Sequence, residues 1–361
     1  MRVMVFFLLI FFFAFYMACR TAFVFGIGWK WLFAGLSVLA VASIFAMFAV
    51  RNQLSGWHIL AVVLSSVAGV LLYMLISISL TDLINIFTHF SQKNYGLIVA
   101  SATILLSAYG LVNASIPRLR TVEIAMPKLT QPVQLVQFSD VHLGHFRGKR
   151  NLQRLVDIAN STDAKALMIT GDLFESLYNL NSATLEPLNK LKMPVYFVIG
   201  NHDTYVNADS VKALLRSQGV NVLENEVADF GELQIVGLEY MRPDDKSFDH
   251  MHASFGRKTI ENTLPTMAID STRPSILLHH NPVGAEYASK AGIGLYLAGH
   301  THGGQLFPMT IINNYAFKYN RGLYRFEDTQ VYTSVGSGTF GPPMRVGTPS
   351  EVTLIKLVPI Q

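Results

Sequence analysis

Hydrophobic positions are laid out along this chain in two unlike ways. Before residue 118 they run almost uninterrupted. After it they come in bursts of four to six, separated by polar stretches of helical period. The uninterrupted runs at residues 3–19, 31–50, 57–80 and 95–114 predict four membrane-spanning helices, because about 20 apolar residues at 1.5 Å per residue cross about 30 Å of hydrocarbon. Trp31, Trp57 and Tyr95 stand at segment starts, where an amphipathic ring favours the headgroup level. The later bursts at 133–138, 166–170, 195–199, 276–279 and 295–298 read as buried strands, followed by 330–334 and 351–357. Helical patterns fall at 151–159, 183–191 and 208–217. Alternating strand and helix with mixed later strands predicts an α/β domain built on two sheets. The proline-marked stretch around Pro117, Pro127 and Pro132 reads as a linker, which divides the chain into residues 1–117, 118–132 and 133–361.

Charge follows the same division. Of 28 Lys and Arg only Arg2, Arg20, Lys30, Arg51 and Lys93 precede residue 118, and of 24 Asp and Glu only Asp82, so the rest of the chain carries 23 of each and is formally neutral. The net charge of +4 therefore belongs to the apolar part, as orientation signal or headgroup attraction. No basic stripe interleaved with aromatics appears, and a nucleic-acid partner is not expected. His58 and Asp82 read as interfacial. An even number of spans puts the amino terminus and the large carboxy-terminal part on one face. Arg2, Arg51, Arg118, Arg120 and Lys128 on that face against Arg20, Lys30 and Lys93 on the other favour the cytoplasm. The single Cys19 excludes an intrachain disulfide and a thiolate metal site. It also follows a hydrophobic run, as a lipidated signal cysteine would, but Tyr16 suits that signal poorly and further spans follow, so a retained helix is expected.

The chemistry-bearing residues stand directly after the predicted strands, where α/β folds place ligands. They are Asp140 and His142; Gly171-Asp172; Gly200-Asn201-His202-Asp203; His279-His280-Asn281-Pro282; and Gly299-His300-Thr301-His302-Gly303. Each alone could be an ordinary turn. Together they offer carboxylate, amide and imidazole ligands, a mixture suited to Mn²⁺, Fe or Zn²⁺ rather than Ca²⁺, and in number enough for two ions if one carboxylate bridges them.

In this order and spacing the five motifs resemble those of the calcineurin-like metallophosphoesterases over roughly residues 133–357, and the tail at 334–345 resembles the membrane-attached bacterial branch of that family. The resemblance implies an αββα sandwich and a dinuclear centre. Asp140, His142, Asp172 and His302 would hold one metal, and Asp172, Asn201, His280 and His300 the other, with Asp172 as bridge. His280 is chosen over His279 because the family's ligand stands two residues before proline. His202 matches the family's non-ligand histidine, a proton donor to the leaving oxygen, with Asp203 orienting it. Arg147, Lys149 and Arg150 follow the first motif and read as a solvated helix start or as phosphate contacts. Arg345 reads as an anion contact or a structural ion pair.

The implied function is a membrane-anchored phosphohydrolase cleaving a phosphate ester or pyrophosphate by metal-activated hydroxide, with a lipid-linked or membrane-near substrate. The resemblance extends to enzymes hydrolysing UDP-2,3-diacylglucosamine, but fold-level analogy leaves the substrate open. The competing class is a non-catalytic membrane protein using the domain for metal-dependent binding or sensing. Transport through the helices is disfavoured because the linear pattern shows no intramembrane cluster of charges.

Overall fold

A computed structural model describes residues 2–49, 58–247 and 258–360 of the chain, with side chains described from residue 8 onward and not for 46–49. Val50, Arg51 and Trp57 lie outside the described residues. The chain divides into two compact units, residues 1–113 with 340–346, and residues 114–339 with 347–361.

The first unit is built on α1 (Arg2–Phe25), α2 (Trp29–Ala49), α3 (His58–Thr88) and α4 (Gln92–Ser115), the last two residues of which belong to the second unit. Leu8–Phe25, His58–Thr88 and Gln92–Ser115 are long and apolar enough to cross a membrane, while Trp29–Phe45 of α2 is a shorter apolar helix. Where four full spans are expected, three meet the length among the described residues. Among these side chains Leu8, Phe12, Trp31, Phe45 and Ile59 are exposed, as lipid-facing residues are. Two helices run past their predicted ends, and the polar residues there pair. Arg20 of α1 is hydrogen-bonded to Asp82 of α3, Tyr16 donates to Asp82 Oδ2 at 2.5 Å, and Tyr95 of α4 donates to Asp82 Oδ1 at 2.9 Å. The guanidinium also lies 4.9 Å from the Tyr95 ring centroid. Asp82, expected at an interface, is the hub of a network joining three helices. Its formation allows charged residues to continue an otherwise apolar helix. Residues 340–346 pack within this unit, with Met344 filling the space left by Gly69 and Gly110 and the Arg345 N–H donating to Gly110 O at 2.9 Å.

In the second unit β1 (Pro117–Met126), β2 (Val133–Phe138), α5 (Lys149–Asn160), β3 (Ala166–Ile169), α6 (Ser182–Leu185), β4 (Val195–Phe197), α7 (Asn201–Ser217) and β5 (Asn221–Val222) come first. Then follow β6 (Glu226–Phe230), β7 (Leu233–Gly237), α8 (Ile260–Thr263), β8 (Ser275–Leu278), α9 (Ala285–Lys290), β9 (Leu295–Ala298), α10 (Met309–Ala316), β10 (Gly322–Phe326), β11 (Thr329–Thr333) and β12 (Ser350–Pro359). They form two six-stranded mixed sheets, ordered β1-β12-β2-β3-β4-β5 and β10-β11-β9-β8-β7-β6.

Alternation along the strands explains the layers. Leu135, Ala166, Met168, Tyr196 and Val198 from the first sheet meet Ile235, Ile276, Leu278, Leu295 and Leu297 from the second in a shared core. The opposite faces, carrying Val136, Leu167 and Phe197 on one sheet and Val236, Leu277 and Tyr296 on the other, are covered by α5 and α7 and by α8 and α9 respectively. The result is an αββα sandwich. The stretch expected as a linker is in part structure: all ten residues of β1 pair in parallel with β12, and alternate residues Ile124 and Met126 enter the shared core. Its prolines misled because Pro117 is the first residue of an edge strand, a position that needs no ladder N–H.

Candidate metal centre

Strands β2, β3, β4, β8 and β9 all point their carboxyl ends to one side, and each is followed within four residues by a candidate ligand. The turns are tight. Asp140, His142, Asp172, His300 and His302 all have φ between 49° and 71°, a left-handed conformation that costs non-glycine residues about 1–3 kcal/mol each. The turns are held by main-chain bonds between the ligand loops: Asp140 N to Gly171 O at 3.1 Å, His142 N to Asp172 O at 3.1 Å and Gly299 N to His280 O at 2.9 Å. The 334–339 tail adds Gly338 N to Asp140 O at 2.7 Å. Gly299 is required by close approach, since a Cβ there would strike Ser139 Oγ and Asp140 Oδ2.

These turns bring together two ligand groups, Asp140 with His142 and His302, and Asp172 with His280 and His300. In the first, His302 Nε2 lies 3.2 Å from Asp140 Oδ1 and 3.1 Å from His142 Nε2. In the second, His280 Nε2 lies 3.1 Å from Asp172 Oδ2, and Asn201 Oδ1 lies 3.0 Å from His300 Nδ1. Asp172 stands between the groups: its Oδ2 is also 3.9 Å from His142 Nε2, while its Oδ1 accepts the His202 N–H at 2.8 Å. All seven expected ligands are thus assembled in the one centre. Second contacts fix the tautomers. His280 Nδ1 donates to Thr170 O at 2.8 Å and His142 Nδ1 to Glu175 Oε2 at 2.6 Å, so each Nε2 presents a lone pair to a carboxylate or another imidazole. Buried acceptors facing acceptors are unfavourable unless a cation lies between them, and on this ground the residues fit a pair of divalent ions.

Burial opposes ionisation of Asp140 and Asp172, but His302 and His280 beside the first, and His280 and His202 beside the second, outweigh it and hold both carboxyls below the usual range. His280 shows the converse, pushed up to about 9 as Asp172 overcomes the effect of burial, so that a proton competes with a divalent ion for the Nε2 lone pair. His279 points away. Its Nδ1 faces Asn281 O and Tyr296 Oη, each at 2.8 Å, its Nε2 accepts from Met241 N, and burial pushes its pKa down to about 4.

One expectation changes here. Asp203 does not orient His202: its Oδ1 accepts from Phe174 N at 2.8 Å and its Oδ2 from Gly200 N at 3.0 Å, which caps α7. Burial, with Asp172 nearby, raises it to about 7. The partner of His202 is Glu175, whose Oε2 is 2.6 Å from His202 Nδ1 as well as from His142 Nδ1. Adjacent residues on a helix diverge, so Asp203 could not follow its neighbour's ring. Glu175 stands three residues after Asp172, and nothing in the linear pattern marks it.

The basic candidates scatter. Arg147 is buried and ties Thr339 Oγ1 (2.6 Å) to Ala114 O (3.1 Å), Lys149 pairs with Glu186, and Arg150 is exposed. Arg345 is fully buried within the first unit and is not among the ligands of the second.

An αββα sandwich with groups of carboxylate and imidazole ligands gathered at its strand ends defines a metallohydrolase-type domain. Residues 133–304 match the calcineurin-like phosphoesterase model, and this part of the chain belongs to that family. A transmembrane protein with metallophosphoesterase domain from Danio rerio is 35% identical over 74% of this chain and 63% of its own length. An uncharacterized metallophosphoesterase of Campylobacter jejuni is 28% identical over 87% and 86%. The chain spans less than two thirds of the length of the first curated relatives it matches, from 60% to 64%. Among solved structures, an archaeal phosphodiesterase aligns at 16% identity with a TM-score of 0.33, covering 56% of this chain and 82% of that one.

Proposed function

We propose that the chain is a membrane-anchored, dinuclear metal-dependent phosphohydrolase acting on a phosphate ester or pyrophosphate. The observation that supports this reading is the position of Asp172 Oδ2, 3.1 Å from His280 Nε2 in one ligand group and 3.9 Å from His142 Nε2 in the other. Asp140, His142, Asp172 and His302 would hold one ion, and Asp172, Asn201, His280 and His300 the other. The ligand mixture favours Mn²⁺, with Fe or Zn²⁺ as alternatives. When bound, such a pair supplies Lewis acidity toward phosphate oxygens and a hydroxide nucleophile at neutral pH. His202 then handles the leaving oxygen. With Nδ1 held against Glu175, Nε2 is the atom that would deliver the proton, and the carboxylate stabilises the ring in its charged form. Asp203 contributes by fixing the start of α7, and so the position of Asn201 and His202.

Membrane attachment favours a lipid-linked or membrane-near substrate. The cytoplasmic face is favoured too, by Arg2, Arg51, Arg118, Arg120 and Lys128 against Arg20, Lys30 and Lys93. The test is hydrolysis of bis(p-nitrophenyl) phosphate and the monoester by detergent-solubilised full-length protein. Turnover should require added Mn²⁺ and should vanish in Asp172→Asn and Asn201→Ala. Undiminished turnover after chelation would reject the proposal.

A further inference from the structure

Helix α10 is inside out. At 100° per residue, Ile311, Tyr315, Ile312, Ala316 and Met309 fall on one continuous arc, and every one of them is exposed, Tyr315 to 89% and the two isoleucines to about half. The side turned to the protein is the polar one. Thr310 is the buried residue, the half-buried Asn313 donates to Thr301 O at 3.2 Å, and the exposed Asn314 at the margin accepts from Asn320 through Oδ1 at 2.7 Å. A surface helix in water has the opposite arrangement. Phe307, two residues before the helix, is exposed and apolar as well.

We infer that this face is seated in the lipid bilayer. Three observations choose that occupant. The chain carries helices long and apolar enough to span a membrane, so a bilayer is at hand. From residue 306 to 321 there is no acid, and Lys318 and Arg321 follow the helix, which suits an anionic lipid surface. A two-turn helix also offers far less than the roughly 800 Å² per partner of a stable protein interface, whereas an interfacial helix needs only its apolar face sunk about 5–10 Å. The contact concerns the metal centre directly. Phe317, just past α10, packs edge-on against the His300 ring at 5.9 Å, and Asn313 ties the helix to the loop between His300 and His302. Seating α10 therefore holds the ligand loop at headgroup depth, where the phosphate of a lipid lies. This last step rests on the proposed phosphohydrolase reading; the bilayer contact does not.

The test uses full-length protein in nanodiscs of phosphatidylethanolamine with phosphatidylglycerol. An environment-sensitive dye is attached through Tyr315→Cys in a Cys19→Ser background, and through Asp328→Cys, whose native side chain is 98% exposed, as the control. Lipids brominated near the headgroup should quench the dye at position 315 and spare it at 328. Equal quenching at the two positions would overturn the inference, as would protection at 315 that tracks dimer formation. In a second arm, Ile311→Asp with Ile312→Asp should slow hydrolysis of phosphatidic acid in vesicles by about tenfold or more and leave soluble bis(p-nitrophenyl) phosphate unaffected. Absence of any hydrolysis in the parent protein would count against the reaction alone, while quenching would still decide the contact.

Discussion

Glu175→Gln is the perturbation that reads most about the centre, because one carboxylate oxygen stands 2.6 Å from Nδ1 of both His142 and His202. Burial opposes its ionisation, but the two histidines hold it below the usual carboxylate range, so at neutral pH Glu175 is charged. Gln keeps the shape and one acceptor and removes the charge. Two effects follow and are separable. Loss of an outer partner to a metal-bound histidine typically costs about 10–100-fold in metal affinity, so the Mn²⁺ concentration for half-maximal activity should rise by that factor. At saturating Mn²⁺ the remaining loss should depend on the leaving group. General acid help is worth about 10²–10⁴, and p-nitrophenolate departs without it. The variant should therefore lose little on bis(p-nitrophenyl) phosphate and about 100-fold or more on an alkyl phosphate. Unchanged metal affinity together with the same loss on both substrates would refute the dual role given to Glu175.

Gly299→Ala puts a methyl group onto Ser139 Oγ and Asp140 Oδ2; it should abolish binding at the Asp140 ion and lower turnover at least about 100-fold, measured by metal content and kinetics, while α/β circular dichroism is kept. His279 gives a pH prediction. Its pKa, ordinarily 6.5, is pushed down by burial to about 4 in the fold, so its contribution to stability is fully present above pH 6.5 and is lost as pH falls through about 4. The shift corresponds to roughly 3 kcal/mol. Thermal unfolding of chelated protein should weaken between pH 7 and 4, and less so in His279→Gln; identical pH slopes in both would contradict this.

The layered fold was largely legible because its central strands are continuous apolar runs closed by Gly-Asp, Gly-Asn and Gly-His turns, and the ligands sit where those runs stop. Residues whose roles come from distant partners were not. Glu175 acts through His142 and His202, 33 and 27 residues away, and Asp82 through Arg20 and Tyr16 on another helix, contacts that no local pattern announces. Asp203 drew attention by adjacency to His202, yet helical geometry turns it toward Phe174 and Gly200. β1 was hidden by its prolines and by an exposed edge that leaves few apolar positions to read.

The central claim is that one chain holds two divalent ions through a shared Asp172. Metal-free full-length protein titrated with Mn²⁺, with bound metal and hydrolysis of bis(p-nitrophenyl) phosphate followed on the same samples, tests it most directly. Two ions should bind per chain, with activity appearing as the second site fills, and Asp172→Asn should lose both. A single ion per chain with full activity, or activity indifferent to Asp172, would contradict it.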